Sequence, residues 1–107
     1  MPILEKDDVV LDYLETGQGT TVILIHSTVS GNRQWKILME ELGKDFRVLA
    51  PNLRGYGNTS SWPGKRTLNL SDQVQLIEPL IEFSEQKVYL VGHSYGGSVA
   101  LKAAMSF

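Results

Sequence analysis

The residues best suited to covalent chemistry form one short segment late in the sequence. Gly92-His93-Ser94-Tyr95-Gly96 has the pattern G-x-S-x-G. The β-branched and aromatic run at 87–91 is typical of a buried strand, and the residues after Gly97 favour a helix. A serine in a tight strand-to-helix turn is expected at positive φ, with its hydroxyl above the sheet. Because a helix N-terminus favours a developing oxyanion, the segment predicts a nucleophile at Ser94.

The same segment also has a plain structural interpretation, in which Ser94 only caps the helix. G-x-S-x-G is common by chance, but the strand-turn-helix context favours the catalytic interpretation. We expect the helix to cross close to the strand because three residues at the crossing have no side chain: Gly92, Gly96 and Gly97.

The composition limits the possible functions. The 107 residues suffice for one small domain, and 42% hydrophobic and 21% charged residues are ordinary for a globular protein. A net charge of −2 without a basic block does not favour nucleic-acid binding. The absence of cysteine excludes disulfides and thiolate chemistry. No signal peptide and no membrane-spanning run is found, so we expect a cytoplasmic protein. We also expect neither a cofactor nor a metal.

Hydrophobic periodicity predicts an alternation of strands and helices. Strands are expected at 9–15, 21–25, 46–50 and 88–91, with a possible hairpin strand at 2–5, and helices at about 32–42, 71–83 and 95–107. In the first helix the expected core stripe is Trp35, Leu38, Met39 and Leu42, with Asn32 as N-cap. This order predicts an α/β fold with a mostly parallel sheet and helices on both faces.

Three segments together resemble the α/β-hydrolase fold family, in the family's order and over nearly the whole chain. One is the turn around Ser94. The segment 22–28 is similar to the family's strand that ends in a His-Gly oxyanion loop, and 50–60 is similar to its Asp-x-Arg-Gly-x-Gly-x-Ser turn. Ser27 replaces the usual glycine and adds a side chain beside that loop. Asn52 replaces the usual aspartate and removes a charge near Arg54.

The resemblance implies a role for each matching residue. Ser94 is the nucleophile for cleavage of an ester or a related acyl bond, and the backbone N–H groups of Tyr95 and Thr28 are the oxyanion donors. His26 and Ser27 are expected to support the reacting groups rather than to react. His26 is expected to order its own loop by hydrogen bonds. His93, beside the serine, is likewise expected to pack against its neighbours or to support the reacting groups.

The family's triad runs Ser, then Asp or Glu, then His, yet residues 95–107 contain none of the last three types. We therefore expect 1–107 to be a single partial domain, the N-terminal portion of a longer hydrolase, without the later strands, the cap and the triad acid and base. Its partner would be a small ester-like substrate. Taken alone, the chain is expected to be inactive and to self-associate through the open edge of strand 88–91.

Other functions compete with this one. A non-catalytic interaction or regulatory remnant of the fold stays open, because the triad partners are absent from the 107 residues. A serine rather than an aspartate at position 94 argues against dehalogenase and epoxide hydrolase chemistry. A nucleotide-binding loop fails on spacing, since six residues instead of four separate Gly57 from Gly64.

Overall fold

The computed structural model of the chain describes residues 3–64, 66–84 and 87–106. Five strands in this part form one sheet: β1 (Ile3–Lys6), β2 (Val9–Thr16), β3 (Thr21–Ile25), β4 (Arg47–Pro51) and β5 (Val88–Gly92). A 3₁₀ turn at Gly31–Trp35 leads into the first of three helices, which are α1 (Lys36–Leu42), α2 (Leu70–Glu82) and α3 (Tyr95–Ser106). None of the helices in these ranges has both the length and the apolar content needed to cross a membrane. The cytoplasmic location stays a prediction.

The sheet order is β1-β2-β4-β3-β5, and its pairings are mixed. β3 pairs in parallel with both β4 and β5, whereas the β1–β2 and β2–β4 pairs are antiparallel. The α/β class is as predicted, but the sheet is mixed rather than mostly parallel. The tight turn at Asp7 and Asp8, with φ of 52° and 65°, joins β1 and β2 as a hairpin. The short link at 17–20 reverses the chain between β2 and β3, so β2 runs antiparallel to β4, which is parallel to β3. The predicted N-terminal hairpin strand is confirmed at residues 3–5, and β1 continues to Lys6, which was expected in the turn. Pro2 lies outside the described residues.

Helices cover both faces of the sheet, as predicted. Alternate residues of β3 and β4 point to opposite sides, which divides the core into two clusters. One face packs against α2 and α3, through Ile23, Ile25, Leu49, Leu76, Ile77, Leu80, Val99 and Ala103. The other packs against the 3₁₀ turn and α1, through Val22, Leu24, Val48, Ala50, Trp35 and Met39.

Two expectations for the first helix are wrong. Leu38 is 38% exposed, although Trp35 and Met39 are buried as expected. At 3.6 residues per turn, Leu38 lies at the margin of the stripe that Trp35, Met39 and Leu42 form against the sheet. Asn32 is not an N-cap, because its buried amide donates to the Ala50 carbonyl of β4 at 2.9 Å.

A capping box fixes the start of α2. Asn69 Oδ1 accepts from the Asp72 N–H at 3.0 Å, and Asp72 Oδ2 accepts from the Asn69 N–H at 2.9 Å. The Arg66 guanidinium donates to both carboxylate oxygens of Asp72 at 2.7 Å. The bond from Arg66, with the backbone bond from Asn69, lowers the pKa of Asp72 to about 2. Asp72 therefore stays ionised, and the helix stays capped, well below neutral pH.

Candidate active site

Ser94 lies in the turn between β5 and α3. Its φ is 57°, which confirms the positive φ that the sequence predicts, and the residue is exposed. The Ser94 carbonyl accepts from the N–H groups of Gly97 at 2.9 Å and Ser98 at 3.3 Å, so the helix starts at once behind it. The N–H of Tyr95 belongs to the first helical turn, where backbone donors have no acceptor within the helix. The turn therefore places a hydroxyl-bearing residue beside a helix N-terminus.

Two of the three glycines around Ser94 are required by close contacts. A Cβ atom on Gly92 would overlap the Gly96 carbonyl, and one on Gly96 would overlap the Ile25 carbonyl and lie 2.5 Å from the His26 carbonyl oxygen. The expectation for Gly97 is wrong, because a Cβ there would be 3.6 Å from its nearest neighbour, an ordinary contact. Gly92 and Gly96 alone bring α3 close to the ends of β5 and β3.

The loop that follows β3, residues 26–30, lies next to the Ser94 turn. Ile25 at the end of β3 is paired with Gly92 at the end of β5, and its carbonyl accepts from the His93 N–H at 3.1 Å. The carboxyl ends of the two parallel strands therefore bring Thr28 and Ser94 to the same edge of the sheet. On its far side the loop is held by the Tyr56 hydroxyl, which donates to the Thr28 carbonyl. The role of the Thr28 N–H as an oxyanion donor stays a prediction.

Gln34, which the sequence analysis did not single out, connects this loop to the Ser94 turn. Its Oε1 accepts from the Ser27 N–H at 2.8 Å, and its Nε2 lies 3.0 Å from His93 Nδ1. The Ser27 N–H is therefore already used within the protein. Nothing in the sequence distinguishes Gln34 from the other polar residues around it, since its partners are distant along the chain.

His26 is fully buried and both of its ring nitrogens are hydrogen-bonded. Nε2 accepts from the Leu53 N–H at 3.0 Å, so the ring proton is on Nδ1, which donates to the Ser27 carbonyl at 2.6 Å. Burial lowers the pKa of His26, against a smaller opposing effect of the Ser27 bond, and this favours the neutral ring. The Tyr56 ring packs edge-on at 4.5 Å. Since its lone pair is occupied, His26 joins the loops after β3 and β4 and is not placed to accept a proton.

Asn52 takes part in a buried network in which an aspartate would not fit. Its Nδ2 donates to Asp12 Oδ2 at 3.0 Å, and its Oδ1 accepts from the Asn32 N–H at 2.8 Å. Asp12 and Asn52 are both buried, so the amide supplies the donor that the Asp12 carboxylate needs. The guanidinium carbon of Arg54 lies 5.5 Å from the centroid of the Trp62 ring.

An apolar groove of about 720 Å³ runs along the free edge of β5, on the α3 side of the sheet. We call it the β5 groove; it is lined by residues that include Ile81, Val88, Leu90, Ala100, Leu101 and Ala104. Within the described ranges, no three His, Asp or Glu side chains are grouped closely enough to hold a metal ion.

Comparison with known proteins agrees with this architecture. A family model described as "alpha/beta hydrolase fold" matches residues 20–107. The soluble epoxide hydrolase of Corynebacterium sp. (strain C12) is 32% identical over 93 residues, which cover 84% of this chain and 31% of that protein. The pimeloyl-[acyl-carrier protein] methyl ester esterase of Aliivibrio fischeri (strain ATCC 700601 / ES114) is 28% identical over 95 residues, which cover 88% of this chain and 35% of that protein.

A solved structure shows the same agreement in three dimensions. A mutant of the meta-cleavage product hydrolase CumD from Pseudomonas fluorescens IP01 matches with a TM-score of 0.86 and 28% identity, over 100% of this chain and 40% of the other. The chain spans 31% and 35% of the length of the two curated relatives named above. Because the family model covers most of the sequence, the chain belongs to the alpha/beta hydrolase fold family.

Proposed function

We propose that Ser94 is the nucleophile of a serine hydrolase that cleaves an ester or a related acyl bond. The observation that carries the proposal is the positive φ of this exposed serine in the turn from β5 to α3. The named relatives include both an epoxide hydrolase and a methyl ester esterase. A hydroxyl at this position suits acyl transfer, whereas the family's epoxide chemistry uses a carboxylate, so the serine favours the esterase alternative.

In the proposed reaction, Ser94 Oγ attacks the acyl carbonyl carbon while a base removes its proton. The oxyanion that forms accepts hydrogen bonds from the N–H groups of Tyr95 and Thr28. When the tetrahedral intermediate collapses, the leaving alcohol takes the proton from the base, and the acyl group stays on Ser94. Water, activated by the same base, then cleaves the acyl-enzyme and restores the serine.

The proposal assigns the base to residues outside these 107. His26 has both ring nitrogens engaged, and residues 95–107 contain no histidine and no carboxylate. A carboxylate and a histidine that follow Ser94 would complete the family's order of Ser, acid and His. The 107-residue chain on its own should then hydrolyse esters very slowly, because an unactivated serine is a weak nucleophile.

Labelling with a fluorophosphonate probe tests this proposal on the protein that contains these residues. We expect covalent labelling at Ser94 and turnover of p-nitrophenyl esters, and we expect Ser94→Ala to abolish labelling and lower kcat by at least about 10⁴-fold. Ser98→Ala is the matched control, because Ser98 is an exposed serine one turn further along α3. It should leave both readouts unchanged.

Two results would contradict the proposal. A protein that neither labels nor turns over esters would support the non-catalytic alternative. Equal labelling of the isolated 107-residue chain and of the protein that contains it would show that the base lies within these residues, with His93 the first candidate.

We also propose that the 107-residue chain, prepared on its own, self-associates by pairing β5 with β5 of a second copy. β5 is the last strand of the described sheet and contains no charged residue. Tyr89 and Val91 lie on the α1 side of the sheet, because they pair with Val22 and Leu24, yet they are 48% and 39% exposed. The β5 groove borders the other side. An uncharged, apolar edge of this kind invites pairing with an identical strand.

A lysine on the edge strand tests this pairing. Val91→Lys should shift the isolated chain from dimers or larger species toward monomer in size-exclusion chromatography with light scattering. Ile37→Lys is the control, because Ile37 is an 84% exposed apolar residue on α1, away from the edge. A wild-type chain that is monomeric at high micromolar concentration would disprove the proposal.

A further inference from the structure

We infer that Gln34 is a positioning residue, whose single amide sets the spacing between the loop that carries Thr28 and the turn that carries Ser94. The inference rests on the proposed function, because it concerns the two donors of the proposed oxyanion hole. Gln34 belongs neither to the loop after β3 nor to the turn after β5. It belongs to the 3₁₀ turn before α1, and its side chain is partly buried between the two segments.

The hydrogen-bond chemistry fixes which way the amide points. The Ser27 N–H can only donate, so the atom it meets at 2.8 Å must be the carbonyl oxygen of Gln34. The amide nitrogen then faces His93 Nδ1 at 3.0 Å and donates to it. Nδ1 must therefore carry a lone pair, and the proton of the neutral His93 ring must be on Nε2.

This bridge acts on the part of the loop that the proposed reaction uses. Ser27 immediately precedes Thr28, and His93 immediately precedes Ser94, so each hydrogen bond of Gln34 holds the neighbour of a reacting group. Because the bridge occupies the Ser27 N–H, the proposed second oxyanion donor is the next one, at Thr28. Residues 28–30 are exposed and have little packing to hold them, so the hydrogen bond between Gln34 and Ser27 limits how far Thr28 can move. Misplacing such a donor by about 1 Å can lower the rate about 100-fold.

The first test reads the His93 tautomer from imidazole ¹⁵N chemical shifts above the pH range in which the ring is protonated. The wild-type protein should show the Nε2–H tautomer. In Gln34→Glu, the carboxylate can still accept from Ser27 but offers His93 only an acceptor, so His93 should switch to the Nδ1–H tautomer. Gln34→Leu should remove the preference, and Gln75→Leu, the same change at an exposed site on α2, should leave the wild-type spectrum.

The second test is kinetic, on the protein that contains these residues. Gln34→Leu should lower kcat for p-nitrophenyl esters about 10- to 100-fold with KM changed less than about threefold, because oxyanion contacts form in the transition state. Gln34→Glu keeps the shape of the side chain and its acceptor for Ser27, so it should retain more activity than Gln34→Leu. Gln75→Leu should match wild type.

The results separate this inference from the proposed function. A His93 tautomer that is the same in wild type, Gln34→Glu and Gln34→Leu would overturn the bridge, whatever the activity. An unchanged kcat in Gln34→Leu, in a protein whose turnover depends on Ser94, would overturn the positioning role. Turnover that does not depend on Ser94 would overturn the proposed function, while the tautomer measurement would still decide whether the bridge exists.

Discussion

Gly96→Ala should destabilise the folded chain by about 3 kcal/mol, whereas Gly97→Ala, one residue later, should be tolerated. The added methyl group of the first variant would overlap the Ile25 carbonyl and press on the His26 carbonyl. Both are backbone atoms at the end of a central strand and cannot move without breaking the sheet. At Gly97 the nearest atom would be 3.6 Å away, and alanine is the better helix former by about 1 kcal/mol.

Urea unfolding followed by circular dichroism measures this difference, with the two variants prepared in parallel. Gly97→Ala should unfold at the same urea concentration as wild type or a higher one, and Gly96→Ala at a much lower concentration or without a folded baseline. Similar midpoints for the two variants would show that α3 does not approach β3 as closely as the structure places it.

Asn52→Asp should destabilise the fold by about 2–4 kcal/mol, although aspartate is the residue that the family usually has there. The change replaces the amide donor with a second carboxylate against Asp12, 3.0 Å away and equally buried. Gly57 closes over this pair so tightly that no side chain fits at that position, which leaves little room for the two carboxylates to separate. Gln18→Glu, an amide-to-acid change at an exposed turn, is the control and should shift stability by less than about 0.5 kcal/mol.

A double variant sharpens this prediction. Asp12→Asn together with Asn52→Asp restores one amide and one carboxylate, so it should recover part of the loss. Recovery should be incomplete because Asp12 Oδ2 also accepts from the Asn58 N–H at 2.9 Å, and a single atom of asparagine cannot both donate to residue 52 and accept from Asn58. If Asn52→Asp were as stable as wild type, the buried pair would not be the reason for asparagine at this position.

Local sequence signals were enough to predict much of the fold. The apolar run of β3 and the Gly-flanked turn at Ser94 have short-range patterns that specify a buried strand and a strand-to-helix joint. The Asp7-Asp8 turn likewise specifies a hairpin by its length. These features need no knowledge of what lies elsewhere in the chain, which is why the α/β class and the conformation of Ser94 were predicted correctly.

The errors and omissions come from contacts between distant residues. The sequence relates Asn52 only to nearby residues such as Arg54, whereas its side-chain amide donates to Asp12, 40 positions earlier in the chain. Gln34 was missed because His93 lies 59 positions away. The exposure of Leu38 depends on how much of α1 the sheet covers, which is a property of the tertiary packing. The periodicity of hydrophobic residues carries no information about such pairings, because each pairing depends on how whole helices and strands pack.

The position of β3 in the sheet has a consequence for synthesis on the ribosome. Both neighbours of this strand follow it in the chain, and Thr21 is paired with Val88. At roughly 5–20 residues per second, β3 therefore emerges several seconds before its second partner does. During that interval one edge of the most buried strand is unpaired and available to chaperones. The loop at Thr28 and the turn at Ser94 can meet only when β5 docks, so the candidate active site cannot form before that step.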